Sequence, residues 1–260
     1  MLFRSRRFAF VQYAFVLLTA ASFGLYSPSA GAQSPRTILD GVYTTGQAER
    51  GTTLFNNHCK SCHVTESLAG NTALPLKADL FIERWREDYV QSLFTKMIGF
   101  MPPPNVEPGL KNEEYVDLIA FMLQVNGYPP GSQELRLEQL GSVLFVGPKG
   151  PQPVPNLSQV LVVGCLTAGP NDTWTLTRAT DPVRTRQPES TTPDEKKASG
   201  GRSLGTQTFQ LRGFDALPVS FDPDANKDRK VQAKGVLNRQ PAGARINVLS
   251  IEVVDASCSQ

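Results

Sequence analysis

Histidine is the side chain most used for proton transfer at neutral pH and the commonest metal ligand, yet it occurs only twice in 260 residues, at His58 and His63. Nothing after His63 can build a histidine-based catalytic or metal centre. A glycine-rich phosphate loop is also missing. The 26 Lys and Arg residues are nearly balanced by 24 Asp and Glu, so the chain lacks the basic surplus and the basic-aromatic face of a nucleic-acid binder. Cysteine is scarce as well: there are four, and two of them share the stretch NNHCKSCHVT, residues 56–65, with both histidines. The remaining composition, 40% hydrophobic and 19% charged, is that of a globular chain with enough apolar residues for one or two cores, and it excludes disorder throughout.

The N-terminus is a separate element. MLFRSRR is basic, FAFVQYAFVLLTAASFGLY is apolar and SAGAQ ends in small residues, the pattern of a secretory signal over 1–32 cut after Ala32. A retained membrane anchor is the competing reading, because the apolar run approaches the ~20 residues that cross a bilayer. Gln12 and Thr19 within the run, and the small residues behind it, favour cleavage. Losing Arg4, Arg6 and Arg7 takes the formal net charge from +2 to −1, a further argument against nucleic acid as partner. No later stretch is apolar enough to span, so a periplasmic or secreted protein with no stable membrane insertion is expected.

In an exported protein the run Cys59-Lys60-Ser61-Cys62-His63 has a specific meaning. Two thiols three positions apart can each add to one vinyl group of the same haem, and the histidine directly after the second is placed to bind the iron. Zinc held by His58, Cys59, Cys62 and His63 is disfavoured, since structural zinc sites draw ligand pairs from separated segments. A thioredoxin-like pair lacks its βαβ context, and a plain Cys59–Cys62 disulfide leaves the histidine unexplained. His58, just before the first thiol, reads as a solvent-facing residue.

A haem that only carries electrons needs a sixth ligand, and a thioether raises its potential. Met122 falls on the helical stripe Tyr115, Leu118, Ile119, Met122 and reads as core. Met97 lies on a second stripe with Tyr89, Leu93 and Phe94, in a helix that Gly99 is expected to end. Met101 opens MPPPN, where Pro102 holds its predecessor extended and the proline run stiffens the loop. That makes Met101 the favoured distal ligand.

Quoted in order, RGTTLFNNHCKSCH, LPL, FIERW, MPPPN and LKNEEYVDLIAFMLQVNGYPPG resemble a class I c-type cytochrome domain, and are similar to the cytochrome modules associated with quinoprotein dehydrogenases. The resemblance covers about 45–128. It implies an all-α fold and one covalent haem c on Cys59 and Cys62, with His63 as proximal and Met101 as distal ligand. It also implies Pro75 as the residue whose carbonyl receives the proximal imidazole N–H, and Trp85 as an aromatic near the haem propionates. Gly51 and Phe55, with Phe121, match the positions where the first and last helices cross. Leu74-Pro75 stands where the family usually has Gly-Pro.

The expected organisation is therefore α + β in two domains: a cytochrome domain over 33–130, a linker over 131–156, and a small all-β, OB-like barrel over 157–260. Prolines and glycines punctuate the linker. QVLVVGCLT, TWTLTRA, QTFQLRG, KVQAKGVLN and RINVLSIEVVDA read as five strands separated by turn residues, with a polar, disordered loop near 180–206. Cys165 in the first strand and Cys258 after the last are expected to form a disulfide. Asp222, Asp224 and Asp228 superficially mimic a calcium loop but lack its twelfth-position Glu. The function these features point to is one-electron transfer between redox proteins, a quinoprotein dehydrogenase or a terminal oxidase among them, with the β-domain for docking. The protein would then be a carrier rather than an enzyme, and a haem-based sensor or peroxidase with an open iron site is the alternative.

Overall fold

The computed structural model describes residues 36–70, 73–103, 109–217 and 220–258; the expected signal segment lies outside them. Among the described residues, four helices precede the sheet: α1 (Thr45–His58), α2 (Asp79–Trp85), α3 (Val90–Phe100) and α4 (Asn112–Val125). Thr44 caps α1 by accepting from the Gln47 amide at 3.2 Å, and Glu114 caps α4 by accepting from the Lys111 amide at 2.6 Å. α4 buries Tyr115, Leu118, Ile119 and Met122, the stripe its 3.6-residue period predicts. α1 crosses α4 at Gly51, where a Cβ would stand 2.0 Å from the Asp117 carbonyl oxygen, and the rings of Phe55 and Phe121 stack there at 4.8 Å. Only glycine permits so close a crossing. α3 does not stop at Gly99. It runs to Phe100 and breaks at Met101, whose φ of −136° and ψ of 129° are extended, because the proline that follows excludes the helical region.

The segment 131–156, expected as a linker, contributes to the helical core. Leu135, Leu140, Val143, Leu144, Phe145 and Val146 are buried, and Phe145 meets Phe81 and Tyr128 edge-on at 5.7 Å each. Short strands β1 (Asp88–Tyr89) and β2 (Leu144–Phe145) pair antiparallel and fix this segment beside α2 and α3.

The five strands read from the sequence are present: β3 (Gln159–Ala168), β4 (Trp174–Ala179), β6 (Gln207–Arg212), β7 (Lys230–Gln240) and β8 (Gly243–Asp255), with a two-residue edge strand β5 (Val183–Arg184) between them. Their pairings run in a cycle, β3 to β4, β6, β8, β7 and back to β3; the β6–β8 contact is parallel and the others antiparallel. Val162, Leu166, Leu176, Phe209, Val231, Leu237 and Ile246 fill the inside. Cys165 and Cys258 are joined in a disulfide with Cα atoms 5.7 Å apart. The bond does not join neighbouring strands: β7 lies between β3 and β8, and the residues after Asp255 carry Cys258 across to β3.

The stretch expected as a disordered loop is instead folded into a strap. It holds β5 and helix α5 (Pro193–Gly200), which Thr192 caps. Two lysines of β7 fasten it: Lys230 Nζ donates to the Gly200 and Arg202 carbonyls at 2.6 Å, and Lys234 Nζ to the Ser190 carbonyl and the Glu195 carboxylate at 2.6 Å. The strap also ties the sheet to the helices. The Arg184 amide donates to the Glu87 carbonyl at 2.5 Å, Arg202 Nη2 donates to the Gly141 carbonyl at 3.1 Å, and the Arg202 guanidinium lies 4.0 Å from the centre of the Tyr89 ring. Leu161, Val163 and Val183 accordingly belong to the same apolar cluster as the helices. Asp222 closes a turn, its Oδ1 accepting from the Asp224 and Ala225 amides. Among the described residues no helix is long and apolar enough to cross a membrane.

Candidate functional site

The two thiols leave the end of α1 on a turn that keeps the helical sense. The Cys59 and Lys60 amides both donate to the Phe55 carbonyl at 2.9 Å, and the Cys62 and His63 amides donate to the Cys59 carbonyl at 3.1 and 2.9 Å. This tight winding gathers Cys59, Cys62 and His63 on one wall of a cleft. Both cysteines are thiols, outside any disulfide. His63 is buried, and its Nδ1 lies 2.6 Å from the Leu68 carbonyl oxygen. A carbonyl can only accept, so Nδ1 carries the proton and Nε2 keeps the lone pair that a metal needs.

The acceptor differs from the one expected. Pro75 lines the cleft, but the His63 N–H is held by Leu68. The cause is a compact loop directly after the motif: the Val64 and Thr65 amides donate to the Ala69 carbonyl, and Leu68 takes a left-handed φ of +55°. Gly70 lies so close to Cys62 that a Cβ there would stand 2.0 Å from the Cys62 carbonyl oxygen. This loop reaches the imidazole before the chain arrives at Pro75. The next stretch is pinned separately by Asn126, which donates to the Leu76 carbonyl and accepts from the Ala78 amide, each at 2.9 Å.

Met101 lines the same cleft from the end of α3, and its carbonyl accepts from the Tyr115 hydroxyl at 2.6 Å. Its side chain belongs to a residue 38% exposed, whereas Met97, which also borders the cleft, is packed in the core. Met122 is likewise core, and His58 stands at the cleft's edge. Leu76, Phe81, Leu93, Leu118 and Phe121 make the remaining walls apolar. Trp85 is buried at one end beneath two guanidiniums, those of Arg84 at 5.6 Å and Arg186 at 5.2 Å from its ring centre. Arg186 comes from the strap, so the sheet reaches to the edge of the cleft.

Two thiols, one imidazole with its lone pair presented, a thioether and apolar walls form a donor set whose chemistry fits haem. They do not fit zinc: among the described residues no three His, Cys, Asp or Glu side chains converge as a metal ion would require. Residues 46–122 match the family model described as Cytochrome C oxidase, cbb3-type, subunit III. The match supports a c-type cytochrome domain. Such a domain implies haem c, bound covalently through Cys59 and Cys62. The match ends well short of the sheet, and no curated protein and no solved structure matches the chain.

Leu68, Gly70, Tyr115 and Asn126 are site residues that the motif alone does not reveal. Gly70 offered the one local signal, a glycine seven residues past the last ligand of the motif.

Proposed function

We propose that this protein is an exported mono-haem c-type cytochrome that passes single electrons between redox proteins. Cys59 and Cys62 would attach the haem, His63 would bind its iron from one side through Nε2, and Met101 from the other. Haem would supply a one-electron couple when bound; the chain's part would be to hold it with His63 and Met101 so that no substrate reaches the metal. The observation that carries this reading is the His63–Leu68 hydrogen bond at 2.6 Å, which fixes ring tautomer and orientation on the wall that holds both thiols. The Tyr115 hydroxyl, donating to the Met101 carbonyl, ties down the backbone that carries the proposed second ligand. Trp85 would lie at the propionate end.

The cycle of strand pairings supports a closed, OB-like barrel for the C-terminal part. In this reading the barrel docks the redox partner. The family named in the match belongs to a terminal oxidase, so an oxidase is one class of partner to seek; the sequence resemblance to cytochrome modules of quinoprotein dehydrogenases adds such a dehydrogenase as the other. Localisation follows from the N-terminal signal, cut after Ala32.

Intact-mass measurement of protein matured in a haem-attaching host tests attachment, count and processing together. The expected mass is that of residues 33–260 plus one haem, and Cys59→Ser with Cys62→Ser should abolish the haem increment. A mass with no haem, or a haem lost on denaturation of the wild type, would overturn the reading.

A further inference from the structure

A second cavity of about 310 Å³ lies between the cytochrome domain and the strap, within the ~300–1,000 Å³ of small-molecule sites. It shares Arg84, Trp85 and Lys96 with the haem cleft but opens onto different residues. Cations from four elements converge on it: Arg84 of α2, Lys96 of α3, Arg186 beyond β5 and Arg202 beyond α5.

The acidic side chains lining the cavity do not balance them. Glu195 is engaged by Lys234 at 2.6 Å. Asp88 is buried; its Oδ1 accepts from the Tyr89 amide at 2.7 Å and the Ser92 hydroxyl at 2.8 Å, while its Oδ2 is 3.7 Å from Arg186 Nε and makes no hydrogen bond. Arg184 has its own partner in Glu87 at 3.3 Å. Arg84 Nε, Arg202 Nε and Arg202 Nη1 are shut off from water with no acceptor. Buried donors without acceptors are costly, so these guanidiniums carry charge and hydrogen-bonding capacity that the protein itself leaves unmatched. The amide and hydroxyl side chains of Gln91, Ser92, Thr95 and Gln187 complete a polar lining.

We propose that this cavity binds a small oxyanion, a carboxylate or a phosphate, held by Arg84, Arg186 and Arg202. Planar guanidiniums suit such ligands because each offers paired N–H donors to two oxygens. The site is made jointly by the two halves of the chain, so its occupant would also brace the strap against α2 and α3. Because it adjoins the haem cleft, an anion there disfavours the added electron, and by linkage the oxidised protein should bind the anion more tightly than the reduced one.

Calorimetric titration of the haem-loaded full chain with inorganic phosphate and, separately, succinate, at ionic strength held constant with sodium chloride, tests this directly. Saturable binding of at least one is expected, weakened at least tenfold by Arg186→Gln or Arg202→Gln and unchanged by Arg229→Gln, which removes an exposed charge outside the cavity. Whichever probe binds identifies the class of oxyanion. Circular dichroism melts keep a folding defect from being mistaken for lost binding, and Arg186→Gln carries the test alone if Arg202→Gln, which loses its stacking on Tyr89, fails to fold. The calorimetric result does not depend on haem chemistry. The proposal is overturned if neither anion binds, or if Arg229→Gln weakens binding as much as the cavity variants. It is also overturned if neither anion binds while Arg186→Gln shifts the reduced-to-oxidised ratio at fixed potential, since the cations would then serve the haem's own carboxylates.

Discussion

Replacing Gly51 with alanine tests the helix crossing on which the haem cleft rests. The new Cβ would stand 2.0 Å from the Asp117 carbonyl oxygen, 2.7 Å from its carbon and 2.9 Å from the Phe121 Cβ. Two of these atoms are backbone, so relief requires α1 and α4 to separate by more than an ångström. Separation would loosen the Phe55–Phe121 stack at 4.8 Å and the Arg50–Asp117 pair at 2.8 Å. The pair contributes little, because Arg50 is half exposed and surface pairs are worth about 0–1 kcal/mol. Overpacking costs about 1–3 kcal/mol, and alanine's better helix propensity returns up to ~1. The terms leave a loss of about 0–3 kcal/mol, with ~1–2 the central expectation, read as a lower denaturant midpoint by circular dichroism. Gly46, in the same helix with nothing within 4 Å of its would-be Cβ, is the control; Gly46→Ala should be neutral or stabilising by a few tenths of a kcal/mol. Equal effects from the two substitutions would refute the tight crossing.

Other perturbations follow from the sheet and its strap. Cys258→Ser opens a loop of 93 residues, and the chain-entropy account gives a loss of about 4–5 kcal/mol for that length; a midpoint unchanged by substitution and by reductant would contradict it. Lys234 is fully buried against Glu195, so Lys234→Ala, which leaves that carboxylate and the Gln187 and Ser190 carbonyls without their cation, should cost about 3–5 kcal/mol. Hydrogen exchange should then rise over 183–202 and not over α1. Burial pushes the Asp88 carboxyl up from 3.8 to about 7. The folded chain therefore retains a proton that the unfolded chain has released, and stability present below about pH 4 is lost as pH rises through about 7. Asp88→Asn should remove that decline, at most about 4 kcal/mol, and an identical pH profile in the variant would sink the assignment.

Much of this molecule is written locally. The haem motif, the break at Met101 and the five strands each depend on neighbours in sequence: a spacing of thiols, a following proline, an alternation of apolar and polar residues. What escaped depends on distant partners. The apolar residues around Leu140 and Phe145 are too short a run to declare a core, and become one only when α2 and Tyr128 cover them. The strap is polar enough to read as disorder, yet Lys230 and Lys234, on a strand that follows it, supply the donors that order it. The acceptor for His63 is Leu68 rather than Pro75, and a backbone carbonyl has no side-chain signature; the φ of Leu68 and the close approach of Gly70 set its position, and only the glycine itself is visible in the sequence.

The central proposal is that His63 and Met101, which line one cleft, hold one iron between them. Visible spectra of the oxidised and reduced protein, with Met101→Ala beside the wild type, test it most directly. A low-spin reduced c-type spectrum is predicted, with a weak red-end band in the oxidised protein that marks an iron–thioether bond and vanishes in the variant. A high-spin wild type would leave the iron open and favour a sensor or peroxidase, and a variant spectrally identical to wild type would transfer the ligand role to Met97; either result contradicts the account.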